Sequence, residues 1–324
     1  MDKIKRNFSF KLRYFLSKKT TRLRYLFKEF RLYRRKYSLS LDKTVKGNTL
    51  FFIVDSSVTQ TGTADRFKAI VGLYYIAKVN GFDFKIIYEY PFKLQDYFLP
   101  NKVDWLSSED EISYSLKNSR IISLTGFKLL KLNKKIRQYH VYLYKGVDLL
   151  EQLKIPNWES VWHELFNELF TMSSHSLDLL KLQPIYGEEY ISVHLRFMNA
   201  LDNVEKGVHN QLNERDKQTL INDCLSYIKK IEQENCGKKI VVFSDSNTFI
   251  KVSLDNNLIV LPGVVGHIVF NTSNEVIEKS FVDFLSIMHS LKVYNVMFSG
   301  MQASGFSKYA ALAGGCPFVF KQIN

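Results

Sequence analysis

The chain has 324 residues, of which 46% are hydrophobic and 14% aromatic; that is enough for one large domain or two ordinary ones, and too apolar for a disordered protein. The formal net charge is +13, and all of it lies at one end: residues 1–46 hold 16 Lys and Arg against 3 Asp and Glu, leaving 29 of each sign in the remainder. A balanced body gives no general reason to expect nucleic acid on it. No run of 18 apolar residues occurs, so no spanning helix is expected, and charge interrupts the N-terminus too often for a secretory signal. Cys224, Cys236 and Cys316 are odd in number and follow no metal-ligand spacing, which reads as reduced thiols in a cytosolic chain.

Residues 1–46 form the first unit. Leu23, Leu26, Phe27, Phe30 and Tyr33 recur at helical spacing among Arg22, Arg24, Lys28, Arg31 and Arg35. A basic amphipathic helix of this kind suits an anionic membrane surface, which would make the protein cytoplasmic and peripheral on the inner face of the plasma membrane. Packing of the stripe on the body or on a partner, and RNA binding, are the other uses of such a pattern.

From Gly47 onward strands and helices alternate. Strands are predicted at 50–54, 82–88, 120–124 and 141–144, and helices at 66–79, stopped by Gly81, and at 158–172, with Trp162, Leu165, Phe166 and Leu169 on one face. A second series follows, with strands at 190–195, 240–243, 258–261 and 293–298 and helices near 216–232, 276–290 and 305–313. Alternation of this kind predicts an α/β fold with parallel sheets covered on both faces. Two series predict two doubly wound domains facing across a cleft, residues 47–185 and 186–324, although nothing rich in Pro or Gly marks the boundary.

Three loops that follow predicted strands carry the chemistry, because ligands of open α/β sheets bind beyond the carboxyl ends of the strands. Gly62-Thr63-Ala64-Asp65-Arg66 reads either as an anion-binding turn or as a capped helix start with Arg66 in solvent. His194 and Arg196 end an apolar strand two residues apart, on one face; the guanidinium suits a diphosphate, or else pairs with a nearby acid. Ser304-Gly305-Phe306-Ser307 opens a helix with small residues and hydroxyls, as an anion site or as a tightly packed turn.

In order and spacing over roughly residues 48 to 320, these stretches resemble the α1,2-, α1,6- and protein O-fucosyltransferase superfamily. Gly62 to Arg66 with the Phe84-Lys85-Ile86-Ile87-Tyr88 strand resembles its first β/α unit, and His194-Leu195-Arg196 its strand-terminal His-x-Arg motif. Ser244-Asp245-Ser246 resembles the second motif, and Ser304 to Ala311 the third. The resemblance implies two Rossmann-like domains of GT-B type and an inverting, metal-independent transfer of fucose from GDP-fucose, held mainly by the C-terminal half, to a hydroxyl of a cell-surface glycan precursor. It implies no cofactor and no metal, with the GDP-sugar and a glycan as partners. It assigns Gly62, Arg66, His194, Arg196, Ser244, Asp245, Ser304, Gly305, Phe306 and Ser307 to the donor. The sequence departs from the family pattern after the strand: Phe197 stands where many members carry a second arginine, and Asp202 comes late.

The chemistry agrees with the residues on independent grounds. Cleaving a sugar–phosphate bond builds charge on the leaving diphosphate, which a metal or a fixed cation must meet. No Asp-x-Asp metal-binding sequence occurs, which leaves Arg196 and the Ser304 helix start. Inversion also needs a base on the acceptor hydroxyl, for which Asp65, His267 and Asp283 are the candidates. A same-fold enzyme using another nucleotide sugar, and a non-catalytic membrane-associated protein that binds carbohydrate or nucleotide, fit the same residues.

Overall fold

The computed structural model describes residues 23, 26–39, 45, 47–57, 61–124, 131–202, 210–268 and 273–323. The first sheet is parallel, in the order β2 (Asp83–Tyr88), β1 (Thr49–Val54), β5 (Gln138–Leu143), β4 (Ser119–Leu124). The second is also parallel, in the order β11 (Phe318–Gln322), β10 (Lys292–Met297), β7 (Tyr190–Leu195), β8 (Lys239–Ser244), β9 (Ile259–Val260). A short antiparallel pair joins β3 (Phe98–Pro100), between β2 and β4 in the chain, to β6 (Phe170–Met172), which follows β5. The central strands β1, β5 and β7 are buried along their whole length, as continuous apolar runs in covered parallel sheets should be. The predicted α/β architecture of two Rossmann-like parallel sheets is therefore present. The 158–172 helix stops at Leu169, because Phe170–Met172 pairs as β6, and β11 at the C-terminus has no counterpart in the sequence reading.

In the second sheet the chain winds outward in two directions from the adjacent strands β7 and β10, which form its switch point; in the first it runs from β1 out to β2, then crosses to the opposite edge at β4 and returns inward to β5. Loops at a switch point splay apart and leave a crevice at the carboxyl ends of the strands.

The helices include α1 (residues 26–36), α2 (Thr63–Asn80), α3 (Leu149–Gln152), α5 (Ser174–Lys181) and α6 (Glu214–Glu234), and α2 joins the halves. It buries residues around its whole circumference, among them Phe67, Ile70, Leu73, Tyr74 and Ala77, so it packs on both sides and not on a sheet alone. Gly72 lets Leu149 approach closely, since a Cβ there would stand 2.6 Å from the Leu149 Cβ. Gly81 ends the helix in the left-handed conformation at φ 66°. On its far side Phe67 stacks on Phe284 of α8 (Asn274–Met288), with ring centroids 5.1 Å apart. Phe281 of the same helix stacks on Tyr97 at 3.7 Å. Helix α9 (Gly305–Gly314) docks on α4 (Trp158–Leu169) through polar contacts: His163 Nδ1–H donates to Leu312 O at 2.8 Å, and Lys308 pairs with Glu159 at 2.8 Å. One apolar core thus runs from Leu50 to Ala313 through both halves.

The N-terminal helix, residues 26–36, is part of the body. Leu32 is buried with Phe51, Ile53, Ile121 and Tyr142 on the face of the first sheet away from α2, and the Tyr33 hydroxyl accepts from Ile121 N at 3.0 Å. Tyr37 donates to Nδ1 of His140, whose Nε2–H donates to Gln138 Oε1 at 3.1 Å; burial holds this imidazole neutral, pushed down to about 3. Tyr33, which the sequence pattern put on the membrane stripe, therefore faces the protein. Arg22 and Arg24 lie outside the described residues.

Because the core is continuous, Phe284→Ala should cost about 3–5 kcal/mol and leave a single unfolding transition. Urea denaturation followed by tryptophan fluorescence checks this: Trp105, Trp158 and Trp162 all precede residue 185, while circular dichroism reports helices of both halves. Non-coincident transitions would show that the halves unfold separately.

Candidate functional site

A cleft of about 370 Å³ opens between the start of α2 in the first half and the carboxyl ends of the second sheet's strands. The first half contributes Gly62, Asp65 and Lys68; the second contributes His194, Arg196, Ser244, Asp245, His267, Asp283 and Ser304 to Phe306. All three proposed catalytic residues, Arg196, Asp65 and His267, line this one space, as do the donor candidates Gly62, His194, Ser244, Asp245, Ser304, Gly305 and Phe306. Two donor candidates do not. Arg66 is buried and turned inward: Nε donates to Thr61 O at 2.7 Å, and the guanidinium also bonds the Tyr88 hydroxyl and Tyr90 O. It fixes the loop between β1 and α2 and does not line the cleft. Ser307 is fully buried beneath α9, where its hydroxyl accepts from Asn295 Nδ2 at 3.0 Å. The same Asn295 amide holds Ser304 O at 2.9 Å, so one buried side chain on β10 pins the start of α9. Neither displacement is visible in sequence, because a helix of 3.6 residues per turn sends adjacent positions to different sides.

Strand β7 delivers His194 and Arg196. His194 is 5% exposed, its ring is stacked on Phe306 at 6.0 Å, and its Nδ1 has no hydrogen-bond partner among the described residues. Burial, with the nearby Arg196 charge adding to it, pushes the imidazole down to about 3, so the ring is neutral at physiological pH. A neutral imidazole with one open nitrogen can donate to or accept from a ligand without adding charge.

Asp245, at the end of β8, shapes the loop that carries Arg196. Its two carboxylate oxygens accept from Phe197 N at 2.7 Å and Met198 N at 3.0 Å, with Arg196 Nε at 3.9 Å. Met198 stands at φ 54°, a left-handed conformation held by that clamp. Burial raises the carboxyl to about 6 against the lowering effect of those amides and of Arg196. Asp202 is drawn elsewhere: it accepts from Ser246 Oγ at 2.6 Å and from Thr248, at the start of α7 (Asn247–Asp255).

The loop bearing His267 is fastened by Asn247, which donates to Val265 O at 3.0 Å and accepts from Val265 N at 3.1 Å. Asp283, another candidate base, is buried against Lys279 one turn earlier on α8, and burial raises its carboxyl. On α2, Asp65 pairs with Lys68 at 2.8 Å. Sequence reasoning missed Lys68, yet its i, i+3 spacing from Asp65 puts both on one helix face. At α9, Ser304 caps the helix by accepting from Phe306 N at 3.2 Å. No cluster of three or more His, Cys, Asp or Glu suited to a metal occurs among the described residues.

Two Rossmann-like halves facing across such a cleft define the GT-B type of glycosyltransferase architecture. Solved structures of this fold superpose on the chain. Fucosyltransferase FUT1 of Arabidopsis thaliana, solved as a mutant in complex with GDP, matches with a TM-score of 0.52 and 12% identity over 93% of this chain and 76% of that one. The α-1,6-fucosyltransferase NodZ soaked with GDP-fucose gives 0.52 and 12% over 83% and 93%, and selenomethionine NodZ from Bradyrhizobium gives 0.53 and 11% over 82% and 91%. No family model and no curated protein sequence matches the chain. The shared property is the fold, in agreement with the superfamily that the motifs resemble.

The His194 environment has a pH signature. Its folded value of about 3 lies below the unfolded 6.5, so the unfolded chain takes up a proton in that window and the native protein does not. Stability therefore falls as pH drops from about 6.5 towards about 3. His194→Phe should remove that share, making the slope of unfolding free energy shallower by about 1.4 kcal/mol per pH unit between about pH 4 and 6. Urea titrations of both proteins across the window check it; parallel slopes would mean that the native ring is protonated.

Proposed function

We propose that the protein is an inverting, metal-independent glycosyltransferase that moves fucose from GDP-fucose to a hydroxyl of a cell-surface glycan precursor. The observation that carries this reading is the convergence of Arg196, a buried neutral His194 and the capped start of α9 on one cleft between the two halves. The fold shared with proteins solved with GDP and GDP-fucose supports the donor class. As the bond from the anomeric carbon to the phosphate oxygen breaks, the electron pair stays on the diphosphate. Arg196 and the positive end of α9 meet that charge in place of a metal. A base must take the acceptor proton on the opposite face of the sugar; Asp65 and His267 both line the cleft for that task. Domain roles follow the same division, with residues 47–185 on the acceptor side and 186–324 on the donor side.

GDP should raise the melting temperature and UDP should not, while excess EDTA should leave transfer intact. Arg196→Ala should lower kcat at least about 10²-fold, and Arg196→Lys should recover little, because the lysine lacks the fork that binds two oxygens. Mass spectrometry of transfer across nucleotide sugars, with melting curves on the same preparations, reads all of this. Stable Arg196→Ala protein with unchanged kcat would remove Arg196 from the mechanism, and manganese-restored activity after EDTA would remove the metal-free chemistry.

A second part of the reading concerns the membrane. No helix among the described residues is long and apolar enough to cross a bilayer. The N-terminal helix instead turns Leu23, Leu26, Phe27 and Phe30 to solvent, 52–67% exposed, beside exposed Arg31, Arg34 and Arg35. Apolar side chains flanked by bases suit an anionic interface, each near-surface base adding about 1 kcal/mol. Phe27→Ser with Phe30→Ser should abolish flotation of the full chain with phosphatidylserine vesicles at low salt and leave the melting temperature unchanged, because Leu32 still covers the sheet. Unaltered protein that fails to float would end the membrane reading.

A further inference from the structure

Lys68 is a cation that crosses between the two halves at the cleft. It projects from α2, in the first half, to the first turn of α9, in the second. A Cβ on Gly305 would stand 3.2 Å from its Nζ. Gly305 does not need its lack of side chain for backbone reasons, since it is absent from the positive-φ glycines. What the missing side chain provides is room for the ammonium.

That position sets an ammonium against partial positive charge, which the Asp65 carboxylate offsets. The start of a helix carries partial positive charge, so it repels a lysine and attracts a phosphate. Arg196 adds a further cation to the same cleft. Lys68 is held there by Asp65 at 2.8 Å and by the face of the Tyr309 ring, 4.8 Å from the centroid, while its side chain remains 18% exposed. A second, independent feature lies at the same cleft: His194 lines it, and its buried Nδ1 has no hydrogen-bond partner among the described residues. Two cations and a helix start around one cavity suit a multiply charged oxyanion, with Asp65 and Asp245 as the carboxylates that pair with those cations.

We propose that Lys68 is a second phosphate contact, supplied by the first half, which closes with Arg196 on the donor diphosphate from the two sides of the cleft. This rests on the nucleotide-sugar reading above. A point-charge ammonium complements the arginine fork, which orients as well as neutralises. Because Lys68 and Arg196 belong to different halves, a diphosphate between them would tie those halves together. It would also draw Lys68 from Asp65, so the two anions compete for one ammonium.

Isothermal titration of the full chain with guanosine, GDP and inorganic pyrophosphate tests the proposal. Lys68→Met keeps the packing on Tyr309 and should weaken GDP and pyrophosphate about tenfold or more while guanosine is unaffected. Lys68→Arg should restore most of the loss. Asp65→Asn should tighten pyrophosphate about two- to fivefold when Lys68 is present and not in the Lys68→Met background. Melting curves confirm that each variant is folded. Lys68→Met protein that binds GDP as tightly as the unaltered chain overturns the clamp and leaves the nucleotide-sugar reading standing. Equal losses for guanosine and GDP overturn it too, by making Lys68 a packing residue. Lys68-dependent binding of pyrophosphate with no affinity for GDP keeps the clamp and removes the guanine nucleotide; a chain that binds neither overturns both.

Discussion

Helix α2 is the element on which the rest of the structure depends. An α-helix with apolar residues on every side has to be covered on every side. Here the first sheet covers one side, and α8 and α9 of the second half cover the other, through Phe67 on Phe284 and the neighbouring aromatic contacts. That requirement brings the start of α2 up to the switch point of the second sheet and puts Asp65 and Lys68 opposite the ends of β7 and β10. The cleft follows from burying a helix, and its residues are those at the near ends of the elements that bury it.

Around that cleft, charge is arranged with little slack. Asp245 spends its oxygens on two backbone amides and thereby shapes the loop of Arg196, although burial raises its carboxyl to about 6. Asp283 is matched by Lys279 on its own helix, and Arg66 by the Thr61 and Tyr90 carbonyls and the Tyr88 hydroxyl. Arg66, conspicuous in the sequence, is a loop anchor turned away from the cleft, whereas Lys68 and Arg196 line it beside their partners Asp65 and Asp245.

The N-terminal helix divides its work between two faces. Leu32, Tyr33 and Tyr37 pack against the outer side of the first sheet, where Phe51 and Ile53 would otherwise meet water. Leu23, Phe27 and Phe30 lie on the other side, where the body gives them nothing to bury against. The two uses that the sequence leaves open for one stripe, a membrane surface and the protein's own body, are therefore both available to one helix.

The sequence by itself determined the alternation of strands and helices, because apolar runs and helical periodicity are local properties, and β7, α2 and α9 lie within a few residues of their predicted bounds. It also placed His194, Arg196, Ser244 and Ser304 at or just beyond the carboxyl ends of strands of one parallel series, on one side of the second sheet. Tertiary structure alone decided the direction of individual side chains. Whether Arg66 or Lys68 faces the cleft depends on what covers each side of α2, and that cover comes from residues more than two hundred positions away, such as Phe284 and Tyr309. It likewise decided that His194 is neutral, since the desolvation that lowers its basicity comes from the packing of Phe306 and the strands beside it, and no stretch of seven residues contains that information.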